Sequence, residues 1–429
     1  MNSNRREFDM NPAELSKRLK KARESRSINQ QSAAEFLHIP RTAVTQIEAG
    51  NRAVSTLELT KFAKLYHYSI SYFLDETTPH EEDIDVMLYR AAPELSQSTK
   101  QQIFHYVDLC KQGITLEKIL DFEPRSGLPQ YKVPPPKSKG EAAQQGSYIA
   151  DQERKRLNIG IGAIADITSL ITNQGIWACS ADLPDEVSGL FLNNTKTGLI
   201  ILVNANHVKS RKRFSYAHEY AHALFDQEES IRVSSTKNNA ELIEVRANAF
   251  AAAFLMPVEG IHEILRNLNK GKSSRQDQII FDVSANSKMN VENRTLPYSQ
   301  NITFQDISII AHHFGVSYHA TVYRLRSINI ISQQECDQLI SKYQEGKRFL
   351  SSLHMFSDLE EKEEKNLWDR ELIAEISYLA IEAFRREEIS RGKIIEIGDA
   401  IGIGGKMLYE FALSTLDNDQ NKNQMNIAK

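Results

Sequence analysis

Three short apolar runs, GIWACSA, VSGLFLN and GLIILVNA, lie within residues 175–205 of a 429-residue chain whose periodicity is otherwise helical. Each is four to eight residues of β-branched and bulky side chains, the pattern of a strand. Asn193, Asn194 and Gly198 sit between the second and third runs, where a hairpin needs turn formers. Helical patterns precede them (ADQERKRL, GAIADITSLITNQ) and follow them (RKRFSYAHEYAHALFD, ELIEVRANAFAAAFLMP). The last helix must stop at Met256, because Pro257 cannot continue it. The chain is therefore expected to be mainly α, with a small α+β domain of about three strands near its centre.

A chain this long exceeds one compact core, so several domains are expected. Residues 1–75 read as a helical domain and 76–125 as a helical connector. Residues 126–146, rich in proline, lysine and small polar side chains (GLPQYKVPPPKSKGEAAQQG), cannot bury a core and read as a flexible linker. Residues 147–330 hold the mixed segment. Residues 331–429 are a helical C-terminal region ending in DNDQNKNQMNIAK, a polar tail expected to be disordered. No run of about 18 apolar residues spans a bilayer, so no membrane is expected. The polar start MNSNRREFDMNP lacks the apolar core of a secretory signal. Cys110, Cys179 and Cys336 are odd in number and scattered, as small buried hydrophobes in a reducing compartment would be. A cytoplasmic protein is expected. Its charge is uneven: 12 Lys/Arg against 8 acids up to Asp75 give +4, while the whole chain carries −4. A basic head on an acidic body points to nucleic-acid contact by the head.

That head contains NQQSAAEFLHIPRTAVTQIEAGNR, which reads as two short helices around a tight turn. The first runs from Gln30 to Leu37 with Ala33, Ala34 and Leu37 inward. The second starts at Arg41 after Pro40, buries Val44 and Ile47, and ends at Gly50. Its open face then presents Arg41, Thr42, Thr45 and Gln46 to base edges, while Gln30, Asn51 and Arg52 are placed for phosphates. The stretch from LSKRLKK to SISYFL resembles the Xre/Cro repressor family in its five-helix spacing, its glutamine opening helix two and its Ile-Glu-x-Gly ending helix three. The resemblance implies an operator in double-stranded DNA. A half-site reader of this kind usually acts as a homodimer. Pro40 departs from the family, which usually has serine there.

In the central helix, His218-Glu219-x-x-His222 places two imidazoles one turn apart on one face. They can converge on one cation, and Glu219 can reach a water beside it as general base. A short motif needs a third ligand to carry weight. The metzincin pattern fails, since Phe225 and Glu228 stand where it needs glycine and histidine. Glu244, on ELIEVRANAF, is the expected third ligand, with Glu241 the fallback. Asn248, one turn further, can hold the outer nitrogen of a ligand histidine. Tyr216, His207 and Tyr323 are candidates to stabilise an oxyanion. FSYAHEYAHALF followed by EVRANAFAAAFLMP, with the strand runs upstream, closely resembles the ImmA/IrrE metallopeptidases over roughly residues 147–330. That resemblance implies zinc or manganese and a limited, regulatory proteolysis of Xre-type repressors, in stress response or mobile-element control.

Two later stretches, ISIIAHHFGVSYHATVYRLRSINIIS and IIEIGDAIGIGGKMLYEFALSTL, read helix, glycine turn, helix. Few basic residues accompany them, so packing or protein contact is expected rather than DNA. Taken together, the residues suggest a DNA-binding regulator whose zincin-like half cuts a repressor-type protein or its own linker. The competing expectation is a repressor or antitoxin in which that half is a non-catalytic module for a toxin or other partner.

Overall fold

In the computed structural model the chain divides into two units, Met1–Pro93 and Glu94–Lys429. The structure describes residues 12–25, 28–66, 70–74, 88, 95–122, 128–194, 198–228, 230–235, 238, 240–270, 300–353 and 370–415, and the backbone of 275–282 and 287–294. Residues 76–94 of the expected helical connector, Leu88 apart, and the C-terminal tail lie outside the described residues.

The described residues of the first unit include the helices α1 (Pro12–Ser25), α2 (Gln30–Leu37), α3 (Arg41–Glu48), α4 (Thr56–Tyr66) and α5 (Ile70–Leu74). Asn29 caps α2, its side chain accepting from Ser32 N, and Pro40 is the residue before α3. Gly50 follows α3 at φ 77°, a left-handed conformation that suits glycine. Ala33, Ala34, Leu37, Val44 and Ile47 enter the core with Leu19, Phe62 and Tyr66. Arg23 of α1 and Glu48 of α3 cross it as an ion pair, with Nε 2.6 Å from Oε1.

The second unit is built on a four-stranded sheet of order β1-β3-β2-β4. β1 (Ile176–Ala181) pairs parallel with β3 (Gly198–Asn204), and β2 (Val187–Asn194) pairs antiparallel with β3 and with β4 (Ile231–Ser235). The three expected runs are β1 to β3. Edge strand β4 was not expected, because IRVSS is too short and polar to stand out from a loop. A further hairpin, β5 (Arg275–Asp282) with β6 (Ser287–Arg294), was not expected either.

Before the sheet come α6 (Gln97–Ile119), α7 (Lys139–Arg156) and α8 (Ile167–Thr172). After it come α9 (Lys209–Phe225), α10 (Leu242–Leu255), α11 (Val258–Asn267), α12 (Phe304–Phe314), α13 (Tyr318–Ser327), α14 (Gln333–Ser341) and α15 (Tyr343–Ser352). α16 (Arg370–Arg385), α17 (Arg391–Ala400) and a helix over residues 405–415 (α18) complete the described chain. α9 lies on β2 and β3, and α10 lies against both α9 and α7. The α7–α10 approach is close because Gly146 has no side chain: a Cβ there would meet Arg246 O at 2.3 Å.

Two expectations about organisation differ from this structure. Residues 126–146 are not wholly a flexible linker. Tyr131 N donates to Leu224 O at 3.1 Å, Leu128 and Val133 pack on the core, and Ser138 caps α7 from Lys139 onward. Hydrophobic content alone hid this, since alanine and glycine are the side chains a tight helix contact needs. The described residues of 95–122 and 331–415 are not separate from the central domain either. Cys336 and Leu339 join the central core, and α16 packs on α6, with Arg386 donating to Leu120 O at 3.3 Å. α6 and α16 both contact β1, which explains why every residue of β1 is buried rather than alternate ones. All three cysteines are buried and free.

Candidate functional site

α9 and α10 bring four acidic and imidazole side chains into one buried cluster. His218, Glu219 and His222 come from α9 and Glu244 from α10, and none exceeds 5% exposure. His218 Nε2 is 3.0 Å from Glu244 Oε2, His222 Nε2 is 3.6 Å from Glu244 Oε1, and the two Nε2 atoms are 3.2 Å apart. Glu241, the fallback, is exposed at the residue before α10, makes no side-chain capping bond and accepts from Arg232 Nη2 at 2.8 Å.

The outer nitrogens are committed elsewhere. His222 Nδ1 donates to Asp226 Oδ2 at 2.7 Å. His218 Nδ1 is 3.0 Å from Asn248 Oδ1, an amide oxygen that can only accept. Both rings therefore place a proton on Nδ1 and, when neutral, turn a lone pair on Nε2 toward the same point. Two acceptors 3.2 Å apart beside a buried carboxylate need a cation or a shared proton between them. The donor set, two imidazoles and one carboxylate within 4.8 Å of one another, fits a divalent transition metal.

Glu219 completes the arrangement. It is fully buried, and neither carboxylate oxygen has a hydrogen-bond partner among the described residues. Burial, and to a lesser degree the charge of Glu244, raise its pKa, against the charges of His218 and His222 and the Ser234 hydroxyl, which lower it. Gly189 of β2 makes room for it: a Cβ there would stand 2.8 Å from Glu219 Oε1. For His222, burial works against protonation, but the bonds to Asp226 and Glu244 outweigh it and hold the pKa at about 9. For Glu244, burial raises the pKa, but bonds from His218 and His222 prevail and drive it far below the ordinary carboxylate range.

Three residues beyond the sequence expectations support this cluster. Asp226 orients His222 and is itself held by Arg246 Nη2 at 2.6 Å, while Arg246 lies 4.6 Å over the Phe225 ring. Arg232, on the unexpected strand β4, donates Nε to Glu244 Oε1 at 2.7 Å. The i,i+4 logic that pairs His218 with His222 also pairs His222 with Asp226, so that signal was present. Of the oxyanion candidates, the Tyr216 hydroxyl is 3.1 Å from Ser180 Oγ and His207 Nε2 is 3.4 Å from Asp185 O. Tyr323 is exposed on α13.

In the first unit, Arg41, Thr42, Thr45 and Gln46 are exposed along α3, and Asn51 is exposed after it. Gln30 is tied inward, its Nε2 donating to Glu48 Oε2 at 2.9 Å and its Oε1 accepting from Thr45 Oγ1 at 3.1 Å. Arg52 is half-buried and paired with Glu58 at 2.7 Å. The Arg23–Glu48–Gln30 network fixes α3 against α1 and α2, so its outer face is presented rigidly.

No curated protein matches the chain. Residues 171–326 match the family of IrrE N-terminal-like domains, and residues 19–73 match the helix-turn-helix family. The first match covers β1 to β4, α9, α10 and the whole metal-ligand cluster, and the second covers α2 to α4. The chain thus joins an Xre-type helix-turn-helix domain, within residues 19–73, to an ImmA/IrrE-type domain of a metallopeptidase family, within residues 171–326.

Proposed function

We propose that the chain is a DNA-binding regulator whose central domain is a metal-dependent endopeptidase. His218, His222 and Glu244 are its ligands for zinc, with manganese the second choice, and Asn248 and Asp226 fix the rings. The observation that carries this reading is the convergence of two Nε2 atoms and Glu244 beside an uncommitted buried carboxylate. A bound zinc ion supplies Lewis-acid charge to a peptide carbonyl and to water. Glu219 takes a proton from the attacking water and returns it to the leaving amine. Arg232 holds Glu244 in place from β4. The substrate is an Xre-type repressor or the chain itself, cut to relieve repression.

The exposed face of α3 reads the operator, with Arg41, Thr42, Thr45 and Gln46 at base edges and Asn51 beside the phosphates. Gln30 and Arg52 join them only if their bonds to Glu48 and Glu58 open on DNA. A cytoplasmic homodimer on a two-fold operator completes the reading.

The test compares new protein N-termini in host cells expressing wild type or Glu219→Gln, with and without DNA damage. A terminus made only by wild type names the substrate. If none appears under any stress while the protein still binds zinc and shifts DNA, the central domain is a partner-binding module. DNA reading is tested by Arg41→Ala with Gln46→Ala, expected to abolish an operator shift without altering proteolysis.

A further inference from the structure

Between α7, α9, α10 and α13 lies a cavity of about 920 Å³, walled largely by apolar side chains that include Phe214, Ala249, Ala252, Val258, Ala320 and Ile328. Neither metal-ligand histidine, nor Glu244, nor Glu219 lines it, so it is distinct from the candidate metal centre. Arg211 and Tyr323, both exposed, mark its mouth.

Two buried polar groups stand on its lining, one with no hydrogen-bond partner and the other with no ion pair among the described residues. Ser210 is 1% exposed, and its hydroxyl has no hydrogen-bond partner among the described residues. It stands in the first turn of the 17-residue α9, whose N-cap residue Val208 makes no side-chain capping bond. Free N–H groups and the helix dipole favour negative charge at such an end. Arg324 is 5% exposed, and its Nε donates to Met256 O at 3.2 Å. No carboxylate among the described residues forms an ion pair with it. Burial pulls its pKa down to about 10, and Asp151 and Glu259, further off, only partly oppose this. No described carboxylate meets this buried guanidinium in a contact ion pair, and an incoming anion supplies that contact.

We propose that this cavity binds a small amphipathic acid, its head group on Ser210, Arg211 and Arg324 and its apolar body against Phe214, Ala252 and Ile328. Asp151 on the same lining opposes a second negative charge, so a carboxylate suits the site better than a doubly charged phosphate monoester. Asn248 belongs to both sites. It lines the cavity and bonds His218 Nδ1, so a bound acid touches the residue that orients a metal ligand. The site does not depend on the peptidase reading.

The full chain is titrated by calorimetry with decanoate, decyl phosphate and decanol, which share one apolar body. An acid binding at least tenfold more tightly than decanol is expected, with decanoate ahead of decyl phosphate. The reverse order of the two acids would identify a phosphate head group at the same site. Binding should fall at least tenfold in Arg324→Gln, and also in Ala252→Phe, which fills the cavity. Ser210→Ala, a change of one buried atom, serves if either of those fails to fold, with a smaller but measurable loss expected. Equal affinity for all three probes, or acid binding unchanged in every folded variant, would overturn the proposal.

Discussion

In the metal-free protein His222 should carry a proton at neutral pH, and zinc must displace it. With a pKa of about 9, the ring is protonated in all but about one molecule in a hundred at pH 7. Displacing that proton costs about two decades of apparent affinity, on the order of 3 kcal/mol. Glu244 is ionised throughout this range and adds no slope. Apparent zinc affinity is therefore expected to rise roughly tenfold per pH unit from pH 7 and to level off near pH 9. The same group stabilises the metal-free fold below about pH 6.5 and loses that contribution as pH rises through about 9, because its folded pKa is the higher one. Competition with a chromophoric chelator from pH 6.5 to 10 gives the affinity. Calorimetry in two buffers of different ionisation heat gives the protons released, expected to be at least one per zinc at pH 7. A flat affinity between pH 7 and 9, with no proton released, would refute the arrangement of His222 between Asp226 and Glu244.

Asp226→Asn should weaken zinc binding by about 10- to 100-fold, the usual cost of removing an outer hydrogen-bond partner, and should flatten the pH slope. Both are read in the same chelator assay. Gly189→Ala should displace Glu219, lowering proteolysis and costing about 1–3 kcal/mol in a urea melt, since overpacked cores lose about that much. Gly146→Ala meets backbone rather than a flexible side chain, so it should cost at least as much, and thermal unfolding would show it. Zinc should restore little of either loss.

How far the site could be read from the sequence depended on how local each signal was. His218, Glu219 and His222 share one helical turn, so spacing alone places them together. Glu244 lies on a separate helix, and spacing alone does not separate it from Glu241; burial of the one beside both histidines and exposure of the other is a tertiary fact. Arg232 was unreadable because its strand pairs only through β2, a contact that local alternation in IRVSS does not signal. The core of the first unit followed its helical periodicity, position by position, at Ala33, Ala34, Leu37, Val44 and Ile47. The inward bonds of Gln30 and Arg52 did not, because side-chain partners across a bundle leave no periodic trace. The joining of α6 to α16 had the same cause: residues more than 200 apart in the chain meet on a face that each helix shows only as amphipathicity.

Glu219 separates a catalytic reading from a packing one more sharply than any ligand does. Ligand histidines stabilise a structural metal site as well as a reactive one, so their loss weakens both. A buried carboxylate whose oxygens make no hydrogen bond among the described residues adds little to packing: burial disfavours its charge, the two histidines and the Ser234 hydroxyl only partly offset that, and β2 gives up a side chain at Gly189 to admit it. Its raised pKa means that it lowers stability progressively as pH climbs past its ordinary value near 4.5, opposite in sign to a paired carboxylate. Glu219→Gln keeps the shape and replaces a buried charge by a buried neutral amide, so it should make the metal-free protein more stable at pH 7, by about 1 kcal/mol. The melting temperature of the metal-free variant should rise accordingly, and the gain should shrink toward pH 4 as the wild-type carboxylate protonates. Stability gained with proteolysis lost is the signature of a residue kept for chemistry against the interest of the fold. A variant that unfolds more easily than wild type at pH 7 would show instead that Glu219 holds the core together, and the general-base assignment would fall with it.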